Sequence, residues 1–481
     1  MPQGLQGEQG IQGEIGLTGN DGYTPIKGVD YFDGEVSQLS LDTQVSNLAE
    51  NVGKPIGTLT MPSGFTPTLP CNFIRGSDGV ITHDMDFAPY RTGTTIWFHQ
   101  VLGSDVSGNG SELTPYKSIM KCFDIAIAGV GDYVIRTNDT NYVNRYFGSL
   151  QANKTITNKR ISVIGGASNM VLGTLAEALT WTAVGTGTWK ATRSGVYGVF
   201  DMANLDSYGV QPPLAVVSSV ANCQASANTW YTDNATVWVH TSDGNIPTVN
   251  TIGVGLAVMN FPVILKENAT LYLENVTIIG GTFGDLITIN GDANVQGTFL
   301  AKNCKFIGGM LRISGATGNV ISLYNVKNTY LFDCIFAHGS RDGMNGHYAN
   351  IPIGNRRECL ALEYGCVSYG HGKYDGNANN NATTYHEGIT VLRINGQGFN
   401  TNGYVLADVN GCYSVCYNCH MHDSWVSNSA MYLFCDADGV IYLFDCIGGG
   451  LGLYDIISNT VPVNVRNFRG YRFSVPYLNY I

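Results

Sequence analysis

The sequence predicts an all-β protein: a parallel β-helix, trimeric, preceded by a collagen-like triple helix and a short coiled coil. Three observations predict it. Glycine accounts for 60 of 481 residues and charged residues for only 13%, a composition of turn-rich strands rather than of solvated helices. A short phrase returns along the second half of the chain at intervals of 23 to 32 residues. At the other end, glycine holds every third place from Gly4 to Gly22.

The opening run "GLQGEQGIQGEIGLTGNDG" sets seven glycines in strict register. Only glycine fits the crowded axis where three extended chains wind together, and a flexible linker has no reason to hold a period of three. No proline lies between Gly4 and Gly22, so these triplets are marginal alone and an adjoining element must hold three chains together. Pro25 and Tyr31 interrupt the register while Gly28 and Gly34 keep step, which bounds a stem at residues 1–34. Residues 35–53 follow with Leu41, Val45, Leu48 and Val52 at spacings of 4, 3 and 4. That is an a/d seam of two heptads; the competing reading is one amphipathic helix docked on the main domain.

Residues 54–93, rich in Pro, Gly and Thr, read as an extended linker. A strand, a Gly/Ser/Asp loop and a helix from Pro115 to Ala128 then form a cap over residues 94–130. Ile119, Cys122, Phe123 and Ala126 give that helix one apolar face. The body, residues 131–481, carries the repeat: "LYLENVTIIGG", "FLAKNCKFIGG", "YLFDCIFAHG", "ALEYGCVSYG", "SVCYNCHMHD" and "IYLFDCIGGG". Aligned, one column reads Val276, Cys304, Cys334, Cys366, Gly396, Cys419, Cys446, with an Asn, Asp or Gly at the corner before it. Each phrase fits one coil of a parallel β-helix, and stacked coils turn the column into an internal ladder of thiols. A β-sandwich competes, but hairpins do not return the same phrase every coil.

The net charge of -11 argues against nucleic acid and anionic membranes as partners. No stretch approaches 18 consecutive apolar residues, so membrane insertion is not expected. The N-terminus lacks a basic start followed by an apolar run, from which synthesis in a cytoplasm is expected. In that compartment the twelve cysteines, nine of them after residue 300, are expected to be free buried thiols.

Six of nine histidines fall within residues 338–422. Measured from the repeat column, His386 lies ten residues before Gly396, Asp408 eleven before Cys419 and Asp436 ten before Cys446, with Glu387 adjoining the first. Similar offsets on successive coils would line up His386, Glu387, Asp408 and Asp436 on one face. A pair of carboxylates so placed is what glycosidic cleavage needs, one as acid and one as base or nucleophile; the alternative is that they hold the turns. Arg341, Asp342 and His347 in "SRDGMNGHY" form a second group, read either as sugar contacts or as an Asp-Gly turn. No cofactor or metal is expected. In "CYSVCYNCHMH", Cys416 and Cys419 lie three apart, which on a straight strand points them to opposite faces and argues against zinc. "DVSGNG" lacks the bidentate Glu of a calcium loop, Tyr116 standing in its place. The aromatics of "SWVSNSAMYLF" and "FRGYRFSVPYLNYI" could stack on sugars, pack a core or make trimer contacts.

The strand, the "GSDVSGNG" loop and the "PYKSIMKCFDIAIA" helix resemble the first coil of pectate-lyase-like right-handed β-helix proteins. "ANTWYTDNATVWVHTSDGNIP" (227–247) resembles a hairpin insert of their early coils. "SRDGMNGHY" through "NCHMHDS" is similar to β-helical tail proteins of bacteriophages and prophages, and "GYTPIKGVDYFDG" after a collagen-like run to tail-fibre leaders. The resemblance implies a homotrimeric tail fibre or tailspike of the virion. It would attach to other tail proteins through its N-terminal stem and contact host-surface polysaccharide. A polysaccharide depolymerase and a purely structural tail part are the alternatives.

Overall fold

The computed structural model describes residues 56–137, 143–144, 153–166, 170–176, 178–256, 261–281, 285–292, 297–309, 318–373, 380–425, 430–434, 439–450, 454–458, 463–470, 473–475 and 478–481. The collagen-like stem, the coiled-coil segment and Asp436 lie outside these residues. The chain divides into a small unit, 71–84 with the residues up to Thr60, and a large unit holding the rest.

In the small unit, Gly57–Thr58, Phe73–Arg75 and Ile81–His83 form an antiparallel three-stranded sheet. Gly79, at φ 80°, turns the second strand into the third. The expected extended linker is therefore partly strand.

The large unit is a parallel β-helix. Among the described residues its strands sort into three long sheets of ten, twelve and nine strands, here called the first, second and third. The chain visits them in turn: Phe261–Lys266, Thr270–Glu274 and Val276–Gly281 make one coil, Ile287–Gly291, Thr298–Lys302 and Lys305–Gly309 the next. Each strand pairs in parallel with its counterpart one coil on, such as Phe261 with Ile287, Leu271 with Phe299 and Ile278 with Phe306. Successive side chains of a strand alternate between interior and exterior, so in-register pairing builds columns. Leu271, Phe299, Thr329, Ala361, Val391, Ser414, Ile441 and Val463 form one such inward column, all essentially buried. Each fully buried Leu, Ile or Val contributes about 1.5–3 kcal/mol of transfer free energy.

The corner between second and third sheets is where the repeat phrase acts. Asn275, Asn303, Asp333, Asn395, Asn418, Asp445 and Asn467 all adopt left-handed backbone, φ 49–56°, and Gly365 completes the row at φ 63°. Asn, Asp and Gly tolerate that region best. The corner side chains also bond along the stack: Asn303 Nδ2 donates to Asn275 Oδ1 (2.7 Å) and Asn418 Nδ2 to Asn395 Oδ1 (2.9 Å). Next to them Cys304, Cys334, Cys366, Cys419 and Cys446 are buried, and every described cysteine is a free thiol. Cys334 touches the thiols above and below it; burial, then those two neighbours, pushes its pKa far up. Because the chain turns at Asn418, Cys416 and Cys419 both face the interior, which corrects the straight-strand expectation of opposite faces. The ladder needs no metal to explain it.

The cap helix runs Ile119–Ala128, with Ile119, Cys122, Phe123 and Ala126 buried. It starts later than Pro115 because Ser118 caps it, its Oγ accepting from Lys121 N at 3.2 Å. Asp105 of the "DVSGNG" loop accepts from Lys117 N, Ser118 N and Ser118 Oγ, so its carboxylate is committed to that cap. Phe123 packs edge-on to Phe261 at 5.6 Å and closes that end of the core.

The outer faces of the second and third sheets are overlaid. Residues 61–70 and 85–92 lie on the second: Thr66 Oγ1 donates to Arg357 O (2.9 Å), Phe87 meets Phe332 at 5.2 Å, and Arg91 holds Glu274 through Nε (2.8 Å) and Nη2 (2.6 Å). An insert from 175 to 256 lies on the third, where its Phe200 joins Val171, Ile279 and Ile307. Residues 227–247 contribute a hairpin of Thr229–Thr232 and Thr236–His240 to a five-stranded sheet of that insert, built over Trp230, Val237 and Val239.

Candidate functional site

On the outer face of the first sheet, Asn290, Tyr324 and His347 stand in register on three successive coils. His386 continues the row on the fourth, its N–H donating to Gly346 O at 3.0 Å. The rings stack: Tyr324 and His347 at 5.8 Å and 12°, His347 and His386 at 4.2 Å and 14°. Glu387 follows in left-handed backbone, φ 61°, with Gly388 at φ 78°. This turn brings Glu387 Oε1 to 3.3 Å from His347 Nδ1 and lets Oε2 accept from Tyr348 N at 2.7 Å. All three side chains, His347, His386 and Glu387, are half-buried. Burial, then the neighbouring His347, pushes the His386 imidazole down to about 4. Burial alone would raise the Glu387 carboxyl, but bonds from His347 and the Tyr348 N–H outweigh it and bring it below its ordinary value.

The structure thus joins His347 to His386 and Glu387, which the sequence reading had kept in separate groups. Arg341 and Asp342 stand apart from this cluster. Asp342 is buried and accepts from Asn381 N (2.7 Å) and Asn345 Nδ2 (2.8 Å), while burial raises its carboxyl to about 6. It holds a turn; Arg341 is exposed beside it.

Asp408 is a correction. The expected spacing of one coil holds, since Tyr385 pairs with Asp408 across adjacent coils. The partner, however, is Tyr385 and not His386, and one residue of phase on a strand reverses the side. Asp408 points into the coil, where Arg393 grips both its oxygens (Nη1 2.7 Å, Nη2 2.9 Å) and Ser414 Oγ donates at 2.7 Å. Arg393 Nη2 also donates to Thr383 Oγ1 (2.9 Å), and Arg393 Nε lies 3.4 Å from Glu363. Burial raises the Glu363 carboxyl above its ordinary value, and the closer ion pair is that of Arg393 with Asp408. Glu387 and Asp408 therefore face opposite sides of the first sheet and do not flank a common glycosidic bond.

A second site emerges on the third sheet. Its outward column runs Ile279, Ile307, Ala337, Tyr369, Phe399, His422 in register. The insert covers the aliphatic end and stops at the aromatic end, leaving a cleft of about 320 Å³. Tyr369 and Phe399 stack at 5.0 Å and 5°, Phe399 and His422 at 5.0 Å and 6°. The insert packs Tyr208 directly on this wall, 5.1 Å from Tyr369 and 5.6 Å from Phe399. The local sequence "DSYGV" folds this way because Asp206 Oδ1 accepts from Tyr208 N (2.9 Å) and Val210 N (3.0 Å), with Gly209 at φ 68°. The other Asp206 oxygen accepts from the Tyr369 hydroxyl. Burial first, then Asp206, raises the Tyr369 phenol and keeps it a donor. Lys373 and Asn400 line the cleft, as does Trp425, 43% exposed. Sequence reasoning reached Trp425 only through its aromatic stretch and missed Asp206, Tyr208, Tyr369 and Phe399. The signal was present: aligned on the repeat column, Tyr369, Phe399 and His422 share one position.

No protein-family model and no curated protein matches the chain. Among solved structures it is similar to a glycoside hydrolase at 10% identity and TM-score 0.49, covering 78% of this chain and 96% of that one. It is similar to the tailspike protein gp49 from Pseudomonas phage LKA1 at 12% identity and TM-score 0.21, covering 72% and 64%. A third likeness is to the Gp54 tailspike of Acinetobacter baumannii bacteriophage AP22, solved with capsular saccharide, at 9% identity and TM-score 0.25, covering 74% and 67%. At these values none carries an argument about chemistry, and the sites stand on their own geometry.

Proposed function

We propose that this chain binds polysaccharide of a host surface, as a homotrimeric tail fibre or tailspike of a bacteriophage virion, through the cleft between the insert and the third sheet. The observation that supports it best is the cleft's make-up: Tyr208 and Trp425 offer ring surface, the buried stack of Tyr369 and Phe399 backs Tyr208, and Lys373 and Asn400 stand at the polar edge. The C–H faces of a sugar pack on flat aromatic rings, and its hydroxyls need a few placed polar groups, a division of labour typical of concave ligand sites. A net charge of -11 makes a polyanion a poor partner except where a cation such as Lys373 is at hand. The Gly-X-Y run and heptad seam support the trimer, the stem joining other tail proteins, and the usual hand of parallel crossovers supports a right-handed coil.

The test is binding of host capsular or lipopolysaccharide fragments to the purified full chain. Trp425→Ala is expected to weaken binding at least tenfold, about 1.4 kcal/mol, with melting unchanged. Undiminished binding in that variant would contradict the cleft. New reducing ends or unsaturated sugars in the same incubation would establish a depolymerase, hydrolase or lyase, the second reading, for which His386 and Glu387 on the first sheet and Asp436, outside the described residues, remain the nominated residues. Sedimentation of the full chain as a monomer would sink the trimer.

A further inference from the structure

The row of rings on the first sheet ends in a donor set that the binding cleft does not use. His347, His386 and Glu387 come from two successive coils, 39 residues apart in sequence, and each offers one ligand atom within 4.8 Å of the other two. No motif spacing could have revealed it. We propose that these three residues form a binding site for a divalent transition-metal ion of the zinc class, clamping the coil of His347 to the coil of His386 and Glu387.

The donor set selects the metal. Two imidazoles and one carboxylate suit zinc and its borderline neighbours, and three protein ligands with one position left to solvent is a common zinc arrangement. Calcium and magnesium want oxygen donors throughout, which this set does not supply. The geometry is partly assembled. Ligand atoms of a tetrahedral zinc shell, about 2.05 Å from the ion, sit about 3.3 Å from one another; His347 Nδ1 and Glu387 Oε1 are already 3.3 Å apart. Glu387 is held for this by its left-handed backbone and by Tyr348 N, which takes Oε2 at 2.7 Å and leaves Oε1 toward His347. Tyr324 stacks behind the His347 ring at 5.8 Å and fixes its plane. Such supports usually orient metal ligands. The remaining motion belongs to His386. Its ring now lies parallel to His347 at 4.2 Å, and a lone pair lies in the ring plane, so His386 must turn about Cβ–Cγ to aim a nitrogen at the shared point.

The experiment uses the untagged full chain, stripped with a chelator and titrated with zinc chloride by calorimetry, with cobalt(II) as a spectroscopic substitute. One zinc per chain is expected, along with a cobalt absorption band of tetrahedral type and a raised melting temperature on zinc addition. His386→Ala and Glu387→Gln should each weaken binding at least tenfold and abolish the melting shift. His347→Gln, which keeps a side chain of similar bulk in the row, guards against a folding defect and should do the same. An excess of magnesium should not compete. Absence of saturable zinc binding would overturn the proposal. So would binding unchanged in the three variants, which would place the ion elsewhere in the chain. Because the readouts are metal affinity and melting, failure here leaves the glycan cleft untouched, and failure of the cleft leaves this site standing.

Discussion

Tyr385 and His386 are neighbours in the chain and live in different media. Tyr385 and its register partner Asp408 face the inside of the first sheet, among Arg393, Thr383 and Met344. His386 and Glu387 face the outside, stacked on His347 and half open to water. On the inner side both Asp408 oxygens are engaged, by Arg393 and Ser414. Arg393 grips both Asp408 oxygens and lies 5.2 Å over the Tyr385 ring, so the charge pair is spent on itself. The outer side keeps its donors together at the surface, half open to solvent. On a stacked coil, chemistry is therefore decided by phase along the strand: neighbours on a straight strand such as Tyr385 and His386 take opposite sides, and only a left-handed turn such as those at Glu387 and Asn418 resets the alternation.

Breaking the inner side should show the largest effect. Asp408→Ala strands the Arg393 guanidinium in the core and is expected to cost about 3–5 kcal/mol of stability in denaturant unfolding. A loss below about 1 kcal/mol would mean that Asp408 reaches water.

Acid sharpens the comparison next. His338, half-buried at the edge of the cleft, and His371, fully buried, are pushed down by desolvation to about 4 and about 3 from an ordinary 6.5. Their folded values lie below the unfolded one, so the stability they support is full above pH 6.5 and drains as pH falls toward 4. The expected slope is roughly 1.4 kcal/mol per pH unit for each histidine. His338→Asn keeps a residue suited to its left-handed φ of 64° and should flatten that slope by one histidine's share. An unchanged slope would show that His338 titrates freely.

The outer side should give the smallest change. His386→Ala is expected to shift stability by no more than about 0.5 kcal/mol without added metal. A loss as large as that of Asp408→Ala would place His386 in the core packing.

The parts of the fold that repeat were legible in the sequence. The thiol column, its left-handed Asn, Asp and Gly corners and the buried face of the cap helix follow from period and residue type alone, because stacking forces like upon like. The phase of Asp408 was not legible. Coil lengths vary from 23 to 32 residues, and counting from the column cannot fix a single-residue offset that decides inside from outside. The cleft was hidden for another reason. Its wall is periodic, but Asp206 and Tyr208 arrive from an insert more than 150 residues away from Tyr369 and obey no period at all. The three short strands within residues 54–93 were not legible because Pro, Gly and Thr suit short edge strands as well as they suit coil.

The glycan cleft is the central claim, and a crystal structure of the full chain soaked with host-surface oligosaccharide tests it most directly. The account predicts a sugar ring lodged between Tyr208 and Trp425, its hydroxyls toward Lys373 and Asn400. A sugar seated only over the His347 and His386 rings, or an empty cleft at saturating ligand, would contradict it.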